Sequence, residues 1–172
     1  MAEAFQFSWC RSEQEAQALA AFFHANLSPN YISHSELQGP RAINPSQWSP
    51  DIKRIIVDDM VSRVANPLDA PPDGTTKLLA QVADKGTASG VFLVTFSRAA
   101  PVHYAILEDM MIAPSLRGKG VGSAFIAWVS AQCRQRGLAR LFLESGINNH
   151  RAHDLFDREG FKKVSIVMMK EL

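Results

Sequence analysis

At 172 residues, 47% of them hydrophobic, the chain can fill one well-packed core and is short for two, so one domain spanning 1–172 is expected. Eighteen basic side chains against seventeen acidic ones leave a formal charge of +1, which gives no electrostatic case for nucleic acid or an anionic membrane. No apolar run is long enough to span a bilayer and the opening MAEAFQFSWC lacks a basic-then-apolar leader, so a soluble cytoplasmic protein is expected.

FQFSWC alternates apolar and polar residues as a half-buried strand does. After Ser12, Ala16, Leu19, Ala20, Phe23 and Leu27 fall on one helical face. Residues 28 to 48 are rich in Ser, Pro, Asn and Gly and read as a long connection. Ser49-Pro50 then opens a second helix in which Ile52, Ile55, Ile56, Met60 and Val64 repeat at helical spacing. NPLDAPPDG stops it. Three strand-like runs follow, KLLAQVAD, GVFLVTFSRA and VHYAILEDMMIA, joined by the short turn-prone pieces DKGTASG and AAP, which predicts antiparallel hairpins. Beyond Pro114 comes a glycine cluster and a helix marked by Phe125, Trp128, Val129 and Gln132, ended by Gly137. ARLFLES is a strand, NHRAHDLFDREG a short helix and KKVSIVMMKEL a closing strand. The sum is an α/β (α+β) chain: a mixed, mostly antiparallel sheet flanked by helices in the order βααβββαβαβ.

Cys10 and Cys133 have no CxxC or Cys/His spacing, so neither a disulfide nor a zinc site is signalled. His150 and His153 could share a helix face but lack a third ligand, so no metal is expected. The glycine cluster, Arg117-Gly118-Lys119-Gly120-Val121-Gly122, is more telling. Glycine lets backbone approach a ligand, and the first amides of a helix have no internal partner, so such a helix start suits a phosphate. The spacing is wrong for a Rossmann fingerprint, and the Gly-Lys-Ser/Thr ending of a P-loop is missing.

With Arg117, Gly120 and Gly122 matching Arg/Gln-x-x-Gly-x-Gly/Ala, the chain resembles the GCN5-related N-acetyltransferase (GNAT) superfamily. Downstream, Asn149, Ala152, Leu155, Phe156, Gly160 and Phe161 resemble its NxxAxxLYxxxGF segment, and LEDMMIA resembles the LEDLyV segment of its small-amine members. The resemblance covers the C-terminal half by motif and the N-terminal half by element order alone. It implies acetyl-coenzyme A as cosubstrate. Amides and side chains from Arg117 through Gly118, Lys119, Gly120, Val121 and Gly122 to Ser123 would hold its pyrophosphate. Main-chain groups of Met110, Met111 and Ile112, with Asn149 and Phe156, would line the pantetheine arm and thioester.

Direct acetyl transfer to a primary amine needs the acceptor to lose a proton, since an alkylammonium has a pKa of about 10.4. By the same resemblance Glu108 is the base, acting through water. Asp109 could take that role instead, and because neighbouring strand residues point to opposite faces, only one of the two should face a given site. A structural duty for the pair, as an exposed strand-end charge and a buried hydrogen bond, competes with this. Phe156 stands where the family carries a proton-donating tyrosine. Tyr31, Tyr104 or water could replace it, or the chain could be a non-catalytic acetyl-coenzyme A-binding regulatory module. The acceptor, a small amine, an amino acid or a peptide amino group, would meet Tyr31, Glu36 and Arg41 in the long connection, with Glu36 favouring a cation and Arg41 a carboxylate. A homodimer built through the final strand is a further possibility.

Overall fold

The computed structural model describes residues 5–84 and 87–172. In chain order the elements are β1 (Phe7–Trp9), α1 (Glu13–Ala25), α2 (His34–Gln38), β2 (Ala42–Asn44), β3 (Gln47–Trp48), α3 (Ile52–Arg63), β4 (Thr75–Asp84), β5 (Thr87–Ser97), β6 (Tyr104–Ile112), α4 (Val121–Gln135), β7 (Arg140–Leu143) and α5 (His150–Arg158). Short 3₁₀ turns at Pro29–Tyr31 and Pro114–Leu116 precede α2 and α4. The main sheet runs β1-β4-β5-β6-β7, antiparallel throughout except for the parallel pair β6–β7. The mixed, mostly antiparallel sheet and its flanking helices are as expected.

Two details differ from the expectation. The connection after α1 contains a helix, α2, and a small hairpin, β2–β3. Residues 161–172 form no strand, and Val164, Ile166 and Met168 stand in solvent. The alternating pattern of this segment is real, but a strand needs a partner edge to satisfy its amides. Lys85 and Gly86, part of the piece DKGTASG read from the sequence as turn-prone, lie outside the described residues.

Helix periodicity explains the layers. On α4, Val121, Phe125, Val129 and Cys133 recur every fourth residue and bury against one face of the sheet, where Phe125 stacks on Phe92 with ring centroids 3.6 Å apart. The other face is covered by α1, through Ala16, Leu19, Ala20 and Phe23, and by α3, through Ile52, Ile56 and Met60. Each fully buried large side chain contributes roughly 1.5–3 kcal/mol, so these two stripes hold the helices to the sheet. Ser12 caps α1 by accepting from the Glu15 amide. At α3 the cap residue is Asp51, and Ser49 Oγ accepts from the Asp51 amide one step earlier. Among the described residues no helix is long and apolar enough to cross a membrane.

Candidate active site

The site begins where two strands part. β7 pairs with β6 only from Tyr104↔Arg140 to Leu107↔Leu143, whereas β6 runs on to Ile112. Past Leu107 that side of β6 is free of strand, and a pocket opens in the gap. Its walls are Leu107, Glu108 and Met110 of β6, Leu143 to Gly146 at the end of β7, Asn149, Ala152, Leu155 and Phe156 of α5, and Tyr31, Ser33 and Glu36 from the segment around α2.

A β-bulge at the same point reverses the expected facing of the two carboxylates. Leu93 pairs with Asp109 but its neighbour Val94 pairs with Leu107, leaving Glu108 as the extra residue. Strict alternation therefore breaks, and Glu108 and Asp109 both reach groups on the α2–α3 side. Glu108 accepts from Thr95 Oγ1 at 2.6 Å and from Arg63 at 2.5 Å. Asp109 accepts from Arg41 at 2.8 Å. Asp59 of α3 joins the two halves, accepting from Arg63 at 3.0 Å and from Arg41 at 2.8 Å. The bulge thus breaks the alternation from which one carboxylate is expected to face a given site, although of the two Glu108 lines the pocket and Asp109 does not.

The network decides what its members can do. Arg41 is paired to Asp109 and Asp59, with Glu36 at 3.7 Å, and it does not line the pocket. Burial opposes its charge, but Asp109 and the other carboxylates raise its pKa above the ordinary value. The carboxylate-binding duty expected of Arg41 thus competes with internal pairs. Burial likewise works against the charge of Asp59, yet Arg63 and Arg41 hold its carboxyl below the usual range. Asp109 is pushed up by burial, with Arg41 pulling the other way, and its Oδ1 has no hydrogen-bond partner among the described residues.

At the mouth, the Ser33 hydroxyl lies between two carboxylates, 2.6 Å from Glu36 and in contact with Glu144. Glu144 also accepts from the Ser35 amide and pairs with His34. These contacts overcome burial and lower its pKa. Sequence reasoning missed Glu144, although its place just past the end of a parallel strand is where open α/β sheets put ligand contacts. Three carboxylates, Glu36, Glu108 and Glu144, line the pocket and no Lys, Arg or His does. Ser145 Oγ is buried at the wall without a partner among the described residues. No group of three or more His, Cys, Asp or Glu gathers as metal ligands among those residues.

The glycine turn lies behind the part of the wall formed by Met110 and Leu155. Gly118 and Gly120 have φ of 77° and 85°, a region side chains avoid, and Gly120 is the N-cap of α4. The first amide to find a helical carbonyl is that of Ala124, bonding to Gly120 O at 2.9 Å, so the amides of Val121, Gly122 and Ser123 face out of the helix end. Arg117 is exposed and its Nε donates to Ile112 O at 3.2 Å; Lys119 is exposed. A Cβ at Gly122 would come within 2.7 Å of Leu155 and 2.9 Å of Met110, so that glycine lets the helix start sit on the pocket wall. Met111 is buried on the opposite side with the α1–α3 core, and Ile112 packs toward α4. Asn149 occupies the N-cap of α5 and lines the wall, and its side chain makes no capping bond among the described residues. Tyr104 is six positions back along β6 from Met110, about 20 Å at strand rise, and packs on Phe142. Tyr31, by contrast, accepts a hydrogen bond from the Met110 amide at 2.8 Å.

Comparison with known proteins agrees with this fold. An aminoalkylphosphonate N-acetyltransferase of Salmonella typhimurium is 30% identical over 66 residues, 38% of this chain. The match spans only 43% of that relative's length. A transcriptional regulator from Bacillus halodurans superposes with a TM-score of 0.68 at 13% identity, covering 98% of this chain and 99% of that one. The aminoglycoside N-acetyltransferase AAC(6')-Iy in complex with CoA superposes at 0.65 and 12% identity, covering 100% and 98%. Likenesses at such identity concern the fold. The family model described as acetyltransferase (GNAT) matches residues 48–161, from the hairpin before α3 through the glycine turn to the end of α5, and the chain belongs to that family.

Proposed function

We propose that the protein transfers an acetyl group from acetyl-coenzyme A to a primary amine, by direct attack of the amine on the thioester. The observation that carries this reading is the pocket in the β6–β7 gap: it has a main-chain amide, that of Met110, on one wall and three carboxylates on the others, whose cationic partners Arg63, Arg41 and His34 lie behind the lining rather than in it. Such a lining attracts an ammonium and supplies an acceptor for its proton. The outward amides of Val121, Gly122 and Ser123, at the positive end of α4, suit the pyrophosphate. Asn149 and Phe156 flank the space the pantetheine arm would cross.

In this mechanism the ammonium loses its proton through water to Glu108, and the neutral nitrogen attacks the carbonyl carbon. The oxygen that gains the electron pair is held by the Met110 amide. Collapse breaks the C–S bond, the sulfur leaves as thiolate, and the nitrogen sheds its second proton to water to give the amide. Cys133 takes no part: it is buried in the α4 core, away from the pocket wall. A homodimer belongs to the same proposal, because the outer edge of β7 and the apolar segment 164–169 both lack partners within the described chain; light scattering on the full chain would test it.

The reading is tested by calorimetric titration with acetyl-coenzyme A, followed by thiol-release assays over a panel of primary amines. Binding with thiol release on a cationic amine is expected. Absence of binding would overturn the reading. Binding without turnover on any amine would favour the second one, a regulatory acetyl-coenzyme A-binding module, to which the phenylalanine at 156 lends support.

A further inference from the structure

Tyr31 enters the pocket from outside the matched motifs. It ends the 3₁₀ turn after α1, and its ring is fixed edge-on against Phe23, centroids 5.7 Å apart, and beside Trp48 at 6.5 Å. Its hydroxyl accepts from the Met110 amide, the group left without a strand partner where β7 ends. We propose that the Tyr31 hydroxyl is a second hydrogen-bond donor to the acetyl oxygen, working beside the Met110 amide. The proposal rests on the acetyl-transfer reading above.

The argument is one of exchange at a single position. A thioester oxygen that takes the Met110 N–H replaces Tyr31 Oη as its acceptor and therefore lies within reach of that hydroxyl. A hydroxyl both accepts and donates, so rotation of the O–H turns Tyr31 from a placeholder on the amide into a donor toward the incoming oxygen. When the amine attacks, the C–N bond forms and the carbonyl π pair moves to oxygen, where both donors meet it. When the pair returns, the C–S bond breaks and sulfur departs with its electrons. The ammonium gives one proton through water to Glu108 before attack; the attacking nitrogen sheds a second as the C–S bond breaks, and through water that proton reaches the departing thiolate.

Tyr31 keeps its own proton throughout. An ordinary phenol, pKa about 10, gives a proton to a thiolate of pKa about 8.5 at roughly a thirtyfold disadvantage. Here burial first, and then the charge of Asp109, raise the phenol pKa well above that ordinary value. Glu36 adds to this and Arg41 opposes it. The group is thus poorly suited to replace the missing proton donor at Phe156 and well suited to donate a hydrogen bond.

The test is Tyr31→Phe, which keeps the ring that packs on Phe23. The expected result is a fall in kcat of about 10²–10³-fold, with the KM for the amine and the calorimetric affinity for acetyl-coenzyme A unchanged within about twofold. The loss should be the same from about pH 6 to 9, because the donor does not titrate there. A kcat within about threefold of the parent overturns the proposal, as does a loss confined to KM. Should the variant fold poorly, 3-fluorotyrosine in place of tyrosine retains ring and hydroxyl but acidifies the phenol. As the stronger donor it is expected to lower the infrared carbonyl stretch of bound acetyl-coenzyme A, and an unmoved band overturns the proposal. Failure of the parent protein to bind acetyl-coenzyme A would instead defeat the functional reading itself.

Discussion

Arg63 of α3 and Glu108 of β6 meet at 2.5 Å, and the arginine is 2% exposed. The residue proposed as base is therefore also the counter-ion of a buried guanidinium. These two duties separate by pH. Glu108→Gln is expected to lower kcat/KM about 10²-fold at neutral pH, the usual size of a general-base effect. The deficit should narrow toward about pH 9, where more of an amine of pKa about 10.4 is already neutral. Rate profiles against pH for both proteins check this, and a deficit of equal size at every pH would leave Glu108 a purely structural partner of Arg63.

Asp59 joins the Arg63 and Arg41 halves of the charge network. Asp59→Asn leaves two largely buried guanidinium groups short of a carboxylate, and such a break costs about 3 kcal/mol of stability. Because the folded state holds the Asp59 carboxyl below its ordinary value, its contribution is complete above the ordinary carboxylate range and disappears as pH falls through the depressed value. Urea unfolding should show a constant difference between parent and variant from about pH 5 to 8, shrinking below about pH 4. A difference that grows in acid would mean that Asp59 is not the charged partner described.

Two glycines near the pocket should respond differently to alanine. At Gly122 the new methyl would meet the ends of Leu155 and Met110, flexible side chains that can turn aside, at a cost of about 1 kcal/mol. At Gly146 it would meet the main-chain oxygens of Ile32 and Asn30 at 2.5 and 2.6 Å, and backbone has no rotamer to change. Gly146→Ala is expected to destabilise by about 3 kcal/mol and to weaken acetyl transfer by moving the Tyr31 turn. Thermal unfolding of the two variants side by side decides it, and equal losses would refute the distinction.

The parts legible in the sequence are those with a short-range period. The stripe Val121, Phe125, Val129 and Cys133 placed α4, and the glycines at 118 and 120 placed its start, because each signal lies within one element. The charge network was not legible in that way. Arg63 sits three positions after Met60, on the stripe of Ile52 and Ile56, and a cation on an apolar stripe was the available sign of a buried ion pair. Its partners lie 4 and 45 residues away, and only the bulge at Glu108 turns two successive carboxylates to one side. Glu144 was missed for a similar reason, since its contacts with Ser33, His34 and Ser35 arise from tertiary packing between segments more than a hundred residues apart. The terminal segment shows the converse case, a strand pattern that finds no pairing partner among the described residues.

Cys133 offers a test of direct transfer. It is 4% exposed, and burial pushes its thiol up to about 11, with Arg136 and Arg134 acting the other way. At pH 8 only about one molecule in a thousand would carry the thiolate, the form that attacks a thioester or an alkylating agent. Cys10 is also buried, with its thiol pKa raised chiefly by burial. The native protein should therefore resist alkylation at pH 8 and become reactive on unfolding. Cys133→Ala should cost about 1 kcal/mol through the small cavity it leaves. Its kcat should stay within about twofold of the parent, since an amine attacking the thioester directly needs no sulfur nucleophile. Loss of turnover in a folded Cys133→Ala protein, or an acetyl group found on that sulfur by mass spectrometry, would replace direct transfer with a two-step route.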